Sequence, residues 1–162
     1  DFLQFSRADR VQQGLADLDS VIEHVLRLLE PQSADCGVAL AYEKPDRLPA
    51  LPIDGEKMKQ VLINLVRNAI EAMPGGGKVT VRVELQGEFA ELTVEDTGPG
   101  LPEGVDIFQL FVTTKPGGTG LGLSIARQIV AQHGGVITAE SGSSGGARFA
   151  ITLPFAPKEV QP

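Results

Sequence analysis

Gly117-Gly118-Thr119-Gly120-Leu121-Gly122-Leu123-Ser124 runs without a break into Ile125-Ala126-Arg127-Gln128-Ile129-Val130, an apolar-periodic segment that stops at His133-Gly134-Gly135. Glycines leave backbone N–H groups open, and the helix predicted to follow, Leu121 to His133, adds the positive end of its dipole. That combination suits a polyphosphate; the alternative is a plain hinge. Two phosphate-loop patterns fail here. Walker A needs Gly-Lys followed by Ser or Thr, but Gly77-Lys78 is followed by Val79. The dinucleotide fingerprint needs a third glycine where, counting from Gly118 and Gly120, Leu123 stands.

The order of elements around this run also excludes a doubly wound sheet. Downstream, Val136 to Ala139 and Arg148 to Leu153 read as strands. Upstream, Asp96 to Gly120 is punctuated by glycine and proline and reads as a long loop, a length usually kept for function. Before it, Val79, Val81 and Val83 alternate with Thr80, Arg82 and Glu84, and Phe89, Leu92 and Val94 suggest the antiparallel partner. Further upstream lies the clearest helix. Asp54 caps it, Met58, Val61, Leu62, Leu65, Val66, Ala69, Ile70 and Met73 form its apolar stripe, and Pro74-Gly75-Gly76-Gly77 ends it. Val38 to Tyr42 reads as a strand, and Pro45, Pro49 and Pro52 make the next stretch a loop. Asp19 to Leu29 is a first helix, capped at Asp19 or Ser20, with Pro31 just past its last full turn. Helices first, then strands with much antiparallel pairing, predict an α/β (α+β) layer arrangement rather than strict βαβ alternation.

Composition narrows the function. The chain has 162 residues, one domain's worth, and 42% apolar content builds a real core. Gly14, Gly37 and Gly55 are the only three of its 19 glycines before residue 74, with no three-residue repeat, so collagen is excluded. Fourteen Lys+Arg against 21 Asp+Glu give a net charge of −7, which offers nucleic acid no electrostatic footprint. A small anion can still bind to backbone N–H groups. Cys36 is the only cysteine, so no internal disulfide forms and no Cys/His cluster for zinc exists. No apolar run reaches the roughly 18–20 residues of a membrane span, and Asp1 to Gln4 does not open a signal peptide. A cytoplasmic location with no direct membrane contact is the expectation.

Several side chains carry possible chemistry, each with a plainer reading beside it. Asp96-Thr97-Gly98-Pro99-Gly100 follows a strand: its carboxylate can accept from the amine of a base, or the segment is an ordinary strand-ending turn. Gln60, Asn64, Asn68 and Glu71 share one helix face. Asparagine is a poor mid-helix residue, and its amide oxygen is a hard ligand for Mg²⁺; a solvated polar face is the plainer account. Lys115, just before the glycines, can neutralise phosphate or simply be an exposed lysine. His24 lies on an amphipathic helix, and His133 sits where a cation suits the helix dipole; both read as structural.

Taken in order, Gln60 to Ala69, Asp96 to Gly100, Ile107 to Phe111, Gly118 to Leu123 and Gly145 to Phe149 resemble the N, G1, F, G2 and G3 boxes of sensor histidine kinases. The resemblance covers roughly Asp17 to Pro154. It implies a Bergerat-type two-layer α/β sandwich, with a mixed, mostly antiparallel sheet, helices on one face, and ATP under a mobile lid. It places Asp96 on the adenine amine and Gly98 and Gly100 around the base. Asn68 becomes the Mg²⁺ ligand, and Asn64 supports the phosphates and metal-bound water. Phe108 and Phe111 anchor a lid spanning about Leu101 to Gly117. Lys115 and the backbone of Gly118, Thr119, Gly120, Leu121 and Gly122 meet the phosphates, and Thr152 forms the far wall. Asn64 and Lys115 are the implied catalytic pair. ATPases of the wider superfamily typically carry a glutamate where Asn64 stands, so slow hydrolysis and transfer to another acceptor are implied.

The resemblance also implies the division of the chain. Residues 1–13 look like the end of the dimerisation and phosphoacceptor hairpin, residues 14–156 are the ATP-binding domain, and residues 157–162 are a tail. No His here is followed by a phosphoacceptor motif. The implied partners are that dimerisation domain and a response-regulator receiver domain. The short lid ending looks most like the nitrogen-regulatory type. The alternatives are a degenerate kinase serving as an interaction module, and a protein-serine kinase of the anti-sigma type.

Overall fold

Met58, Val61, Leu62, Leu65, Val66, Ala69 and Ile70 are all buried in the computed structural model, which describes residues 14–101, 122–142 and 145–154. This stripe makes α2 (Gly55–Glu71) the central helix. The other elements are β1 (Gly14–Ala16), α1 (Leu18–Asp35), β2 (Val38–Glu43), β3 (Leu51–Ile53), β4 (Gly77–Gln86), β5 (Phe89–Asp96), α3 (Gly122–Gln132), β6 (Val136–Ser141) and β7 (Ala147–Pro154). Asp54 caps α2, its Oδ1 accepting from the N–H groups of Glu56 and Lys57 at 3.1 and 3.2 Å.

Five strands form one sheet in the order β2-β4-β5-β7-β6. β2 and β4 run parallel and the other neighbours antiparallel. The register puts Val83, Leu92, Ile151 and Ile137 in one row and Val81, Val94 and Phe149 in the next, all buried beneath the helices. α1 and α3 flank α2 on that face. The result is the two-layer α/β sandwich with a mixed sheet that the sequence suggests. Truncating a fully buried member such as Leu65 to Ala is expected to cost about 2–5 kcal/mol. The opposite face is polar. Arg82 pairs with Glu43 at 2.6 Å, and Arg148 joins Glu140 at 3.0 Å to Glu91 at 3.4 Å.

Three local readings change. Asp17, rather than Asp19 or Ser20, caps α1: its Oδ1 accepts from Asp19 N–H and its Oδ2 from the Ser20 hydroxyl. The helix also continues through Pro31 to Asp35. Proline removes one helical donor, but Leu29 and Ser33 are buried on either side of it, and Ser33 Oγ donates to the Glu30 carbonyl at 2.9 Å. Tertiary burial outweighs the local break. Likewise, part of the proline-rich stretch is not loop: Leu51–Ile53 pairs antiparallel with Gly14–Ala16. Pro52 is tolerated because each strand of a two-stranded ribbon has an unpaired edge.

Candidate functional site

Asp96 ends β5 on the helix-covered face and is only 4% exposed. Its Oδ1 accepts two backbone N–H groups, from Gly98 at 2.9 Å and Ala147 at 3.1 Å. Its Oδ2 takes no hydrogen bond from any described residue. One oxygen thus orients the carboxylate and the other can serve an incoming N–H donor. Gly146 allows this arrangement, because a Cβ there would strike the Asp96 carbonyl. Gly100 adopts φ +87°, and a Cβ on it would come within 2.6 Å of the Gly145 carbonyl. Gly98 packs over Met73, whose Cγ lies 3.0 Å from where a Cβ would stand.

The polar face of α2 runs from this point toward the glycine run. Asn64 and Asn68 are half-buried on it, while Gln60 and Glu71 are exposed. Asn64 Nδ2 donates to the carbonyl of Gly122, the first residue of α3, at 3.2 Å. Met73, past the end of α2, therefore marks the Asp96 end of the cleft, and Asn64 marks the end where the glycine run enters α3. The two are separated by about 14 Å of helix at 1.5 Å per residue. One end offers a buried carboxylate, and the other offers the Asn64 amide beside Gly122 at the start of α3. That polarity matches a flat base at one end and a phosphate chain at the other. Asn68 lies between the two, and its amide oxygen is of the donor type that suits Mg²⁺.

The expected residues divide into two groups, with Thr152 apart from both. Phe108, Phe111, Lys115, Gly118, Thr119, Gly120 and Leu121 lie outside the described residues. Asn64, Asn68, Asp96, Gly98, Gly100 and Gly122 are the members described around the cleft.

Thr152 is a correction: it pairs with Glu91 and Val136 on the polar face of the sheet, between the buried Ile151 and Leu153. It therefore cannot wall a pocket around Asp96, and the alternation of Phe149, Ile151 and Leu153 already placed it out of phase. Ala147 serves Asp96 instead, through a backbone N–H that no side-chain pattern reveals.

His133 is structural, as its sequence position suggests, but for a different reason. It is buried, its Nε2 accepts from Asp54 N–H at 2.9 Å, and its Nδ1 lies 2.8 Å from the Ile129 carbonyl. That pattern requires a neutral ring with the proton on Nδ1, not a cation at a helix end.

Residues 53–157 match the family described as histidine kinase-, DNA gyrase B-, and HSP90-like ATPase. The chain is 36% identical over 157 residues to the sensor histidine kinase ZraS of Escherichia coli O157:H7, covering 95% of this chain and 34% of that protein. It is 40% identical over 151 residues to the sensory histidine kinase/phosphatase NtrB of Salmonella typhimurium, covering 85% and 43% respectively. The chain thus spans well under half the length of these relatives. Among solved structures, the catalytic domain of histidine kinase ThkA superposes with a TM-score of 0.80 at 35% identity, over 89% of this chain and 96% of that one. ThkA has also been solved in complex with the response regulator protein TrrA.

Proposed function

This chain belongs to the histidine kinase-, DNA gyrase B-, and HSP90-like ATPase family, as a catalytic ATP-binding domain of the sensor histidine kinase type; from that premise we propose that it binds Mg²⁺–ATP and delivers the γ-phosphate to a histidine on a separate dimerisation domain. The observation that carries this reading is the divided carboxylate of Asp96, with Oδ1 held by two backbone N–H groups and Oδ2 left for the adenine amine.

The roles of the described residues follow from their positions, and that of Lys115 from the motif it belongs to. Asp96 reads the base, and Gly98 and Gly100 let the ring approach. Asn64 and Gly122 hold the phosphate end, Lys115 neutralises phosphate charge, and Asn68 holds the metal. Mg²⁺ supplies charge neutralisation on the phosphate oxygens, which an acidic chain needs in order to hold a polyanion. An imidazole nitrogen of the acceptor attacks the γ-phosphorus as the bond to the β-phosphate oxygen breaks, and ADP leaves. Little covalent chemistry falls to the protein, so its contribution is positioning and electrostatics. Asn64, as an amide, cannot act as a base toward water, which favours transfer over hydrolysis.

The phosphohistidine is then read by a response-regulator receiver domain. Residues 1–13 are proposed as the end of the acceptor hairpin and 14–156 as the ATP-binding domain. No helix among the described residues is long and apolar enough to cross a membrane; a cytoplasmic location is part of the proposal.

The test has two parts. Calorimetry should detect Mg²⁺–ATP binding, and no heat at millimolar ATP would sink the reading. Mixing the chain with a histidine-bearing kinase hairpin and ATP should yield acid-labile phosphate on the hairpin. Acid-stable phosphate on serine would move the chain to a different kinase class.

A further inference from the structure

α3 is fastened to α2 at both ends, and neither fastening is apolar. At its start, the Gly122 carbonyl accepts from Asn64 Nδ2 at 3.2 Å. Just past its end, His133 Nε2 accepts from the Asp54 N–H at 2.9 Å. The helices are antiparallel, since the start of one faces the middle of the other and its end faces the other's cap. Asp54 to Asn64 spans about 15 Å of helix and Gly122 to His133 about 16.5 Å. The two spans match to within one residue's rise, so both ties can close together.

Between them, Ala126, Ile129 and Val130 of α3 pack into the core. Apolar packing of this kind resists separation, but the hydrophobic effect that drives it is non-directional. A hydrogen bond at each end sets the register.

The Asp54 N–H needs this partner. In a capping box the N3 side chain reaches back to the N-cap N–H, but N3 here is Lys57, which has no acceptor. The acceptor comes instead from His133, 79 residues away. His133 is itself aimed by Nδ1–H donating to the Ile129 carbonyl, so Nε2 has one orientation and one tautomer.

We infer that His133 is a positioning residue for the phosphate end of the cleft: acting through the Asp54 amide, it sets the register of α3 on α2 and so holds Gly122 against Asn64. The inference rests on the proposed nucleotide reading of that cleft. It separates the two ends of the ligand. His133 acts on the Gly122–Asn64 end, whereas Asp96 is held by Gly98 and Ala147, and the hydrogen bonds of His133 go to Asp54, Ile129 and Val130 instead.

The experiment compares Mg²⁺–ATP and AMP binding by calorimetry in the full chain and in His133→Phe, which keeps the ring but removes both nitrogens. His133→Gln is the rescue, since its amide oxygen reaches the place of Nε2. The expected result is a loss of tenfold or more in ATP affinity in His133→Phe, AMP affinity within threefold of the starting chain, and ATP affinity largely restored in His133→Gln. If His133→Phe does not fold, His133→Asn makes the same test, because it retains a donor for Ile129 but is too short for Asp54. Equal losses for ATP and AMP, or unchanged ATP affinity in a folded variant, overturn the inference while leaving the nucleotide reading intact. A starting chain that binds neither ligand overturns the nucleotide reading, and this inference with it.

Discussion

Asp96 divides its work between two oxygens, and a substitution that spares the shape should expose the division. In Asp96→Asn the amide nitrogen must face either the Gly98 and Ala147 N–H groups or the ligand's amine, so one donor meets another. Losing hydrogen bonds to a charged acceptor costs roughly 1.5–3 kcal/mol, or about ten- to hundredfold in ATP affinity by calorimetry; unchanged affinity would refute the adenine role. Asn68→Ala should remove the Mg²⁺ dependence of ATP binding, measured by titrating metal at fixed nucleotide. Gly146→Ala drives a methyl group into the Asp96 carbonyl. It should lower stability by about 1–3 kcal/mol, visible as a lower Tm. Asp96, Asn64 and Asn68 were legible in the sequence because their side chains are unusual for their local positions. Ala147 was not, because a backbone N–H has no sequence signature. Thr152 was misplaced because its motif was followed while the two-residue period of its strand was not.

At the level of elements, α1 and β2 are joined by a polar cluster. Asp19 accepts from Lys44 Nζ at 2.9 Å and from the Tyr42 hydroxyl at 2.7 Å. The Lys44 ammonium, and then the Tyr42 hydroxyl, hold the Asp19 carboxyl below its ordinary range. A carboxylate depressed in the folded state adds stability above its unfolded pKa, near 3.8, and that stability is lost as pH falls through the folded value. Asp19→Asn should therefore cost about 0.5–1 kcal/mol at neutral pH, a modest figure because the pair is partly exposed. The gap to the parent should narrow as the pH falls below 3.8, as read from urea melts across that range; a gap that persisted in acid would mean the cluster contributes by packing rather than charge. The central helix and the β4–β5 pair were readable from periodicity. The extension of α1 through Pro31 and the ribbon containing Pro52 were not, since both depend on burial and pairing partners far along the chain.

For the molecule as a whole, the cleft draws on α2, the end of β5, the start of β7 and the start of α3, so a ligand filling it ties distant segments together. Saturating Mg²⁺–ATP at a hundred times its Kd should add about 2.7 kcal/mol of stability. For a chain of 162 residues, that corresponds to a rise of roughly 5–10 °C in Tm; a flat melting profile across ATP concentrations would contradict the site. The skew of glycine toward the second part of the chain takes its meaning at this scale, because Gly98, Gly100 and Gly146 each permit a close approach between separate segments. Apolar periodicity and side-chain chemistry are local properties, so the three described helices, the five strands of the main sheet, the layer class and the ordered motifs were legible in the sequence, whereas the β1–β3 ribbon was not. Only the folded chain shows which backbone N–H groups hold the Asp96 carboxylate and that His133 Nε2 accepts from the Asp54 N–H, 79 residues away. Those depend on strand register and on hydrogen bonds between remote segments, which the chain acquires only when its core closes.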